Sequence, residues 1–256
     1  MSVGFWQPLW LGTPTRQCYA ALHPAAGARV GVVMAPPLLH EQPRSRRVLV
    51  EVASRLNERG LPCLRFDYFG TGDSGGEGER HDFDAVHSDL DLAVRALRDT
   101  SGVDAVVLMA WRGAALPAWS WPDARRNINA LALWEPVLDG STWLAALEAV
   151  DRTERQARYP NLDTVQDSHL MGFPTAARWR ADMAAARIAS PAPAPAPAWM
   201  IARNESDDIV VQRRFSLPDD APRFDDGIGI ERAMFLSRKL YGVVDEIAQA
   251  CLALGA

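Results

Sequence analysis

The sequence of 256 residues is poor in several features that mark large protein classes. Its three cysteines, Cys18, Cys63 and Cys251, form neither a C-x-x-C pair nor an even disulfide framework, which points to a reducing compartment. Positive charge is in deficit, 27 Lys and Arg against 32 Asp and Glu. Without a basic cluster, neither nucleic acid nor an anionic membrane surface is an expected partner. No stretch approaches the roughly 20 apolar residues that span a bilayer. Residues 1–8 carry no basic segment and no apolar run of signal-peptide length, so a soluble cytoplasmic protein is the expectation. No His, Cys, Asp or Glu cluster has metal-ligand spacing, and the glycine loop at 70–78 lacks the lysine of a phosphate-binding loop. No metal or cofactor is expected.

What is present is 48% hydrophobic residues with nine tryptophans, enough for one sizeable core. The apolar period changes along the chain. Residues 3–12 and 17–22 alternate around Gly12-Thr13-Pro14, as in an opening hairpin. Residues 29–35, 61–68, 105–110, 130–136 and 199–202 are short runs rich in apolar residues, the signature of strands buried on both faces. Amphipathic helices are expected from a Ser45 cap to Gly60, from an Asp82 cap to Gly102, and along the stripe Leu236, Leu240, Val243, Val244, Ile247, Cys251 and Leu254. Strands alternating with helices imply right-handed crossovers and a mostly parallel sheet. Residues 137–190 break the rhythm with helical, Arg- and Ala-rich segments and no strand candidate, and 190–197 is a stiff Pro/Ala spacer.

This α/β organisation resembles the α/β-hydrolase fold, with a core at 1–136 and 197–256 and a helical cap with its Pro/Ala linker inserted at 137–196. The resemblance implies a nucleophile in G-x-S-x-G on a sharp strand-to-helix turn. Here that turn is Ala110-Trp111-Arg112-Gly113-Ala114, so Arg112 stands in the nucleophile's place. A guanidinium stays protonated and is not a nucleophile. The histidines are His23, His40, His81, His87 and His169, none of them in the stretch 225–231 where a catalytic base is implied. Only the acid has an occupant, Asp207 or its neighbour Asp208. A triad mechanism needs all three members.

A literal G-x-S-x-G occurs at Gly72-Asp73-Ser74-Gly75-Gly76, one βα unit too early. Residues 67–75 resemble instead the structural D-x-x-G-x-G-x-S loop of α/β hydrolases. Ser74 therefore stands only as an unconventional nucleophile. Residues 36–47, 134–140 and 170–173 resemble the exosortase-A-system-associated hydrolases, a bacterial group whose likeness here covers most of 29–205 and implies no defined substrate.

Two fates are open to Arg112. It pairs with Glu135, Asp207 or Asp67, or with the elbow's N–H groups it binds a ligand carboxylate or phosphate. His40 and Glu41 lie at the expected pocket mouth as ligand-binding or acid–base candidates, and Trp111 is a candidate pocket wall. Three readings follow. The first is a non-hydrolytic binder of an anionic or acyl-bearing small molecule or of a protein partner. The second is an ester, thioester or amide hydrolase or acyltransferase using Ser74 or His40-activated water. The third is a scaffold whose pocket is filled by its own side chains.

Overall fold

The computed structural model of the protein describes residues 5–78, 82–160, 168–189, 194–203, 209–224 and 236–255. Asp207, Asp208, His81, the stretch 225–231 and the first half of the Pro/Ala spacer lie outside them. The chain opens with an antiparallel hairpin, β1 (Gln7–Thr13) and β2 (Arg16–His23), and continues through β3 (Val30–Ala35), α1 (Glu41–Glu58), β4 (Cys63–Phe66), α2 (Phe83–Ser101) and β5 (Ala105–Trp111). After a 3-10 turn at Arg112–Ala114 come α3 (Ala115–Ser120), α4 (Ala124–Asn127) and β6 (Ala130–Trp134). Between β6 and β9 (Ala198–Ala202) lie α5 (Gly140–Arg158), a small hairpin of β7 (His169–Leu170) and β8 (Phe173–Pro174), and α6 (Ala177–Ala185). The chain then adds β10 (Arg213–Ser216) and α7 (Arg238–Leu252).

The eight-stranded sheet has the order β1-β2-β4-β3-β5-β6-β9-β10, parallel from β4 to β10 and antiparallel where β2 meets β1 and β4. Alternation within β5 divides the core. Val106, Leu108 and Ala110 pack with α2, α3 and α5, whereas Val107, Met109 and Trp111 pack with α1 and α7. Helices on both faces explain why the central strands read as unbroken apolar runs.

Local signals set the helix ends. The Asp82 carboxylate accepts the Ala85 N–H at 2.8 Å, and Gly102 closes α2 in the left-handed conformation. α1 differs from expectation: it begins at Glu41, four residues before Ser45, with His40 at its N-cap. Pro43 falls in the first turn, where its missing N–H costs nothing, and the Ser45 hydroxyl turns back to the Gln42 carbonyl at 3.1 Å. The helix thereby carries Glu41 and Gln42 to the end of the strands. Two further elements depart from the sequence reading. The hairpin β7–β8 lies in a segment expected to be free of strands, and β10 is an exposed Arg213–Ser216 edge with little apolar signal.

α1 is held to α7 by charge. Asp245 accepts from the Arg55 Nε and Nη2 at 2.7 Å each and from the Arg59 Nε at 2.8 Å, and the Tyr241 hydroxyl donates to Glu51 at 2.9 Å. Among the described residues, no helix is long and apolar enough to cross a membrane.

Candidate functional site

β5 ends at Trp111, and the next residue turns the chain sharply. Arg112 has φ +52°, after which the backbone enters the 3-10 turn and α3. Leu39, between β3 and α1, has φ +53°, and Glu135, just after β6, has φ +41°. Each of these non-glycine residues costs roughly 1–3 kcal/mol in this conformation, and such strain gathers at functional sites.

Arg112 ties its own turn to the other two corners, reaching Glu135 directly and Glu41, two residues after Leu39. Its Nη1 donates to the Glu135 backbone carbonyl at 3.0 Å, while Nε and Nη2 donate to Glu41 Oε1 at 3.3 and 3.4 Å. The guanidinium also lies 5.3 Å from the centre of the Phe224 ring. These contacts correct the pairing expected from sequence. The Glu135 carboxylate is taken by Arg203, and Asp67 is held by Arg46 and Gln42. Asp207 lies outside the described residues. Among the described residues, the acidic group that meets Arg112 is Glu41, delivered by the early start of α1.

Glu41 is only 4% exposed, and its Oε2 has no hydrogen-bond partner among the described residues. Burial pushes its pKa up, and Arg112 opposes that rise without cancelling it. His40 is affected in the opposite sense. Burial, then the charges of Arg44 and Arg112, pull it down to about 4, so its ring is neutral at neutral pH. Its Nδ1 is buried without a partner among the described residues.

Trp111 is a correction. Its side chain is fully buried on the α1 and α7 side of the sheet, stacked on Trp134 with ring centres 4.1 Å apart, so it packs in the core and walls no pocket. The aromatic residue that meets the elbow is Trp143 of α5: a Cβ added at Gly113 would stand 2.9 Å from its ring. Only glycine lets this ring so close to the turn.

Ser74 is spent on backbone groups. Its hydroxyl donates to the Asp67 carbonyl at 2.6 Å and accepts the Tyr19 N–H at 2.8 Å. The remaining described histidines serve elsewhere. His23 accepts from Arg65 Nε, His87 Nε2 lies 2.9 Å from the Pro117 carbonyl, and His169 pairs with its neighbour Ser168. Ser120 comes within 3.5 Å of His87 Nε2, but that nitrogen is committed as a donor to the nearer carbonyl and has no lone pair to take a proton. The buried thiols of Cys18, Cys63 and Cys251 are free, and burial raises the pKa of each.

A parallel sheet with an antiparallel entry hairpin, a strained elbow after the fifth strand and helices inserted before the last two strands has clear counterparts among solved structures. A hydrolase of Agrobacterium vitis superposes over 98% of this chain and 99% of its own, with TM-score 0.58 and 14% identity. Est1E of Butyrivibrio proteoclasticus, solved with ferulic acid bound, covers 96% and 99% with TM-score 0.62 and 14% identity. The fold is that of the α/β hydrolases. Mouse alpha/beta hydrolase domain-containing protein 10 has it too, over 97% and 99%, with TM-score 0.59 and 15% identity. No family profile matches the chain, and no curated protein does.

In α/β-hydrolase terms, Arg112 occupies the elbow between β5 and α3, and Leu39, His40 and Glu41 form the neighbouring β3–α1 corner. Arg112, His40 and Glu41, candidates from the sequence, lie together at this corner. Sequence reasoning missed Arg203, Phe224 and Trp143, which reach this end of the sheet from distant segments. The site offers a fixed cation, a neutral imidazole, and a carboxyl group that burial inclines to hold its proton.

Proposed function

We propose that the protein binds an anionic or acyl-bearing small molecule at the elbow without hydrolysing it by a triad. The observation that carries this reading is the state of the Arg112–Glu41 pair. Arg112 retains Nη protons beyond its contacts to Glu41 and Glu135, its side chain is 22% exposed, and the buried Oε2 of Glu41 has no partner among the described residues. Buried polar atoms are nearly always satisfied, so an unfilled acceptor beside a partly open guanidinium marks a place for a polar ligand group. An acyl carboxylate or carboxamide fits, accepting from Arg112 and, where it has an N–H or O–H, donating to Glu41. The likeness of residues 36–47, 134–140 and 170–173 to exosortase-A-system-associated hydrolases supports the same setting, a fold member without an assigned substrate.

The catalytic readings draw less support. Ser74 has both its hydrogen-bonding roles filled by backbone. His40, pulled down to about 4, is a weak base for activating water at neutral pH.

A panel of short acyl carboxylates and carboxamides tests the proposal by thermal shift. A ligand at one hundred times its Kd adds about 2.7 kcal/mol, and the shift is expected to vanish in Arg112→Lys, which keeps the charge and loses the planar fork. A shift that survives this substitution, or labelling of the wild type by a fluorophosphonate, would refute it. Arg112→Ser is expected to show no ester hydrolysis above background, because it restores a hydroxyl without a base. Turnover by that variant would reveal an imidazole within reach.

A further inference from the structure

A second cleft, on the α1 side of the sheet, holds a cation that no carboxylate among the described residues pairs with directly. It encloses about 270 Å³ between α1, the β2 and β4 strands and the segment before β1, and Trp6, Tyr19, Pro36, Leu49 and Arg65 are among its walls. That is roughly the volume of nine liquid waters, room for a molecule of similar heavy-atom count.

Arg65 is the unusual member. Along β4, its neighbours Leu64 and Phe66 enter one core and Cys63 the other, so alternation turns Arg65 toward α1 with Cys63. Its Nε donates to His23 Nε2 at 3.2 Å. His23 is fully buried, and burial, then Arg65 itself, lowers its pKa to about 4, so this partner is a neutral acceptor that cancels no charge. Neither Nη of Arg65 has a hydrogen-bond or ion-pair partner among the described residues. The carboxylates of the cleft, Asp67 and Asp73, make their direct ion pairs with Arg46 and leave Arg65 only the longer-range field of Asp67. Asp67 accepts from Gln42 at 3.0 Å, Arg46 at 2.7 Å and the Asp73 N–H at 2.9 Å, and Asp73 closes on Arg46 at 3.1 Å. Burial accordingly lowers the pKa of Arg65, and the charge of Asp67 offsets only part of the effect.

A desolvated guanidinium is normally balanced by an anion. The Tyr19 hydroxyl belongs to the same cleft and makes no hydrogen bond among the described residues. Trp6, Pro36 and Leu49 supply apolar wall beside these donors. We propose that this cleft is a binding site, distinct from the elbow, for a small oxyanion carrying an apolar body, with Arg65 holding the headgroup, Tyr19 adding a hydrogen bond and Trp6 covering the tail.

Isothermal titration with hexanoate, hexyl phosphate and inorganic phosphate tests this on the full chain. Hexanoate or hexyl phosphate should bind, the tighter of the two identifying carboxylate or phosphate as the preferred headgroup, and inorganic phosphate should bind at least tenfold more weakly than the better one. Arg65→Gln should weaken binding about tenfold or more, Tyr19→Phe several-fold, and Arg112→Lys less than twofold. Tyr19→Phe removes one hydroxyl and no packing, so it decides the matter should Arg65→Gln fail to fold. No binding, binding matched by inorganic phosphate, binding indifferent to Arg65 and Tyr19, or binding abolished by Arg112→Lys would each overturn the proposal. Only the last of these would leave the elbow as the anion site.

Discussion

Arg112→Met is expected to lower Tm by about 6–20 °C at neutral pH, and to lose most of that penalty as the solution is acidified. Removing one partner of a buried pair costs about 3–5 kcal/mol, and each kcal/mol is worth about 2–4 °C in a chain approaching this size. The pH dependence follows from Glu41. Its pKa already stands above the ordinary 4.5 because burial outweighs Arg112, and deleting the guanidinium removes the larger of the influences that restrain it, leaving only the charge of Arg44. A carboxyl raised in the folded state binds its proton more tightly there than in the unfolded chain. Its contribution is fully present below the ordinary value and is lost as pH climbs through the raised one. The gap between variant and wild type should therefore be small near pH 4.5 and widen toward pH 8. Melting curves followed by circular dichroism across that interval provide the check. A gap constant with pH would mean that Glu41 is not the group left uncompensated.

A comparable loss is expected nearer the β1–β2 side of the sheet from Asp89→Ala. Asp89 is fully buried on α2, where its carboxylate takes Arg16 Nη1 at 2.6 Å, the Cys18 thiol at 3.3 Å and the Phe69 N–H at 2.9 Å. One side chain thus ties β2 and the start of the glycine loop to α2. Alanine leaves the Phe69 N–H and the thiol unpaired and deletes a charge-assisted bond, a loss of about 3–5 kcal/mol or 6–20 °C. Arg16 is 31% exposed and can turn to water, so Asp89→Asn should recover much of the loss by accepting from Phe69. Hydrogen exchange should show residues 67–76 losing protection in the alanine variant. Unchanged protection there would place the role of Asp89 in packing alone.

The contrast between these two sites shows what the sequence could disclose. The strand ladder, the Asp82 cap and the stripe of the last helix follow from local periodicity and composition. The elbow followed from a strand running straight into Arg112, Gly113 and a stretch of small residues. Trp111 was misplaced because a strand buried on both faces has no polar alternation to reveal which side each residue takes. The Arg112–Glu41 pair was not legible, since it spans 71 positions and depends on α1 beginning at Glu41. Pro43, compatible with a first turn, was the one local hint of that start. The pairing of Glu135 with Arg203 and the approach of Phe224 depend on segments meeting only in three dimensions. Arg65 looked like an ordinary strand residue, and its significance comes from the neutrality of His23.

The Asp245 grip on Arg55 and Arg59 has a consequence for biosynthesis. The helix that presents Glu41 leaves the ribosome well before the helix that clamps it. Nascent chains fold from their N-terminal side as they are made. Until α7 is released, the α1 face of the sheet lacks its cover, and a chain stalled short of residue 245 would display that apolar surface to chaperones before the elbow had acquired its charge partner in a settled position.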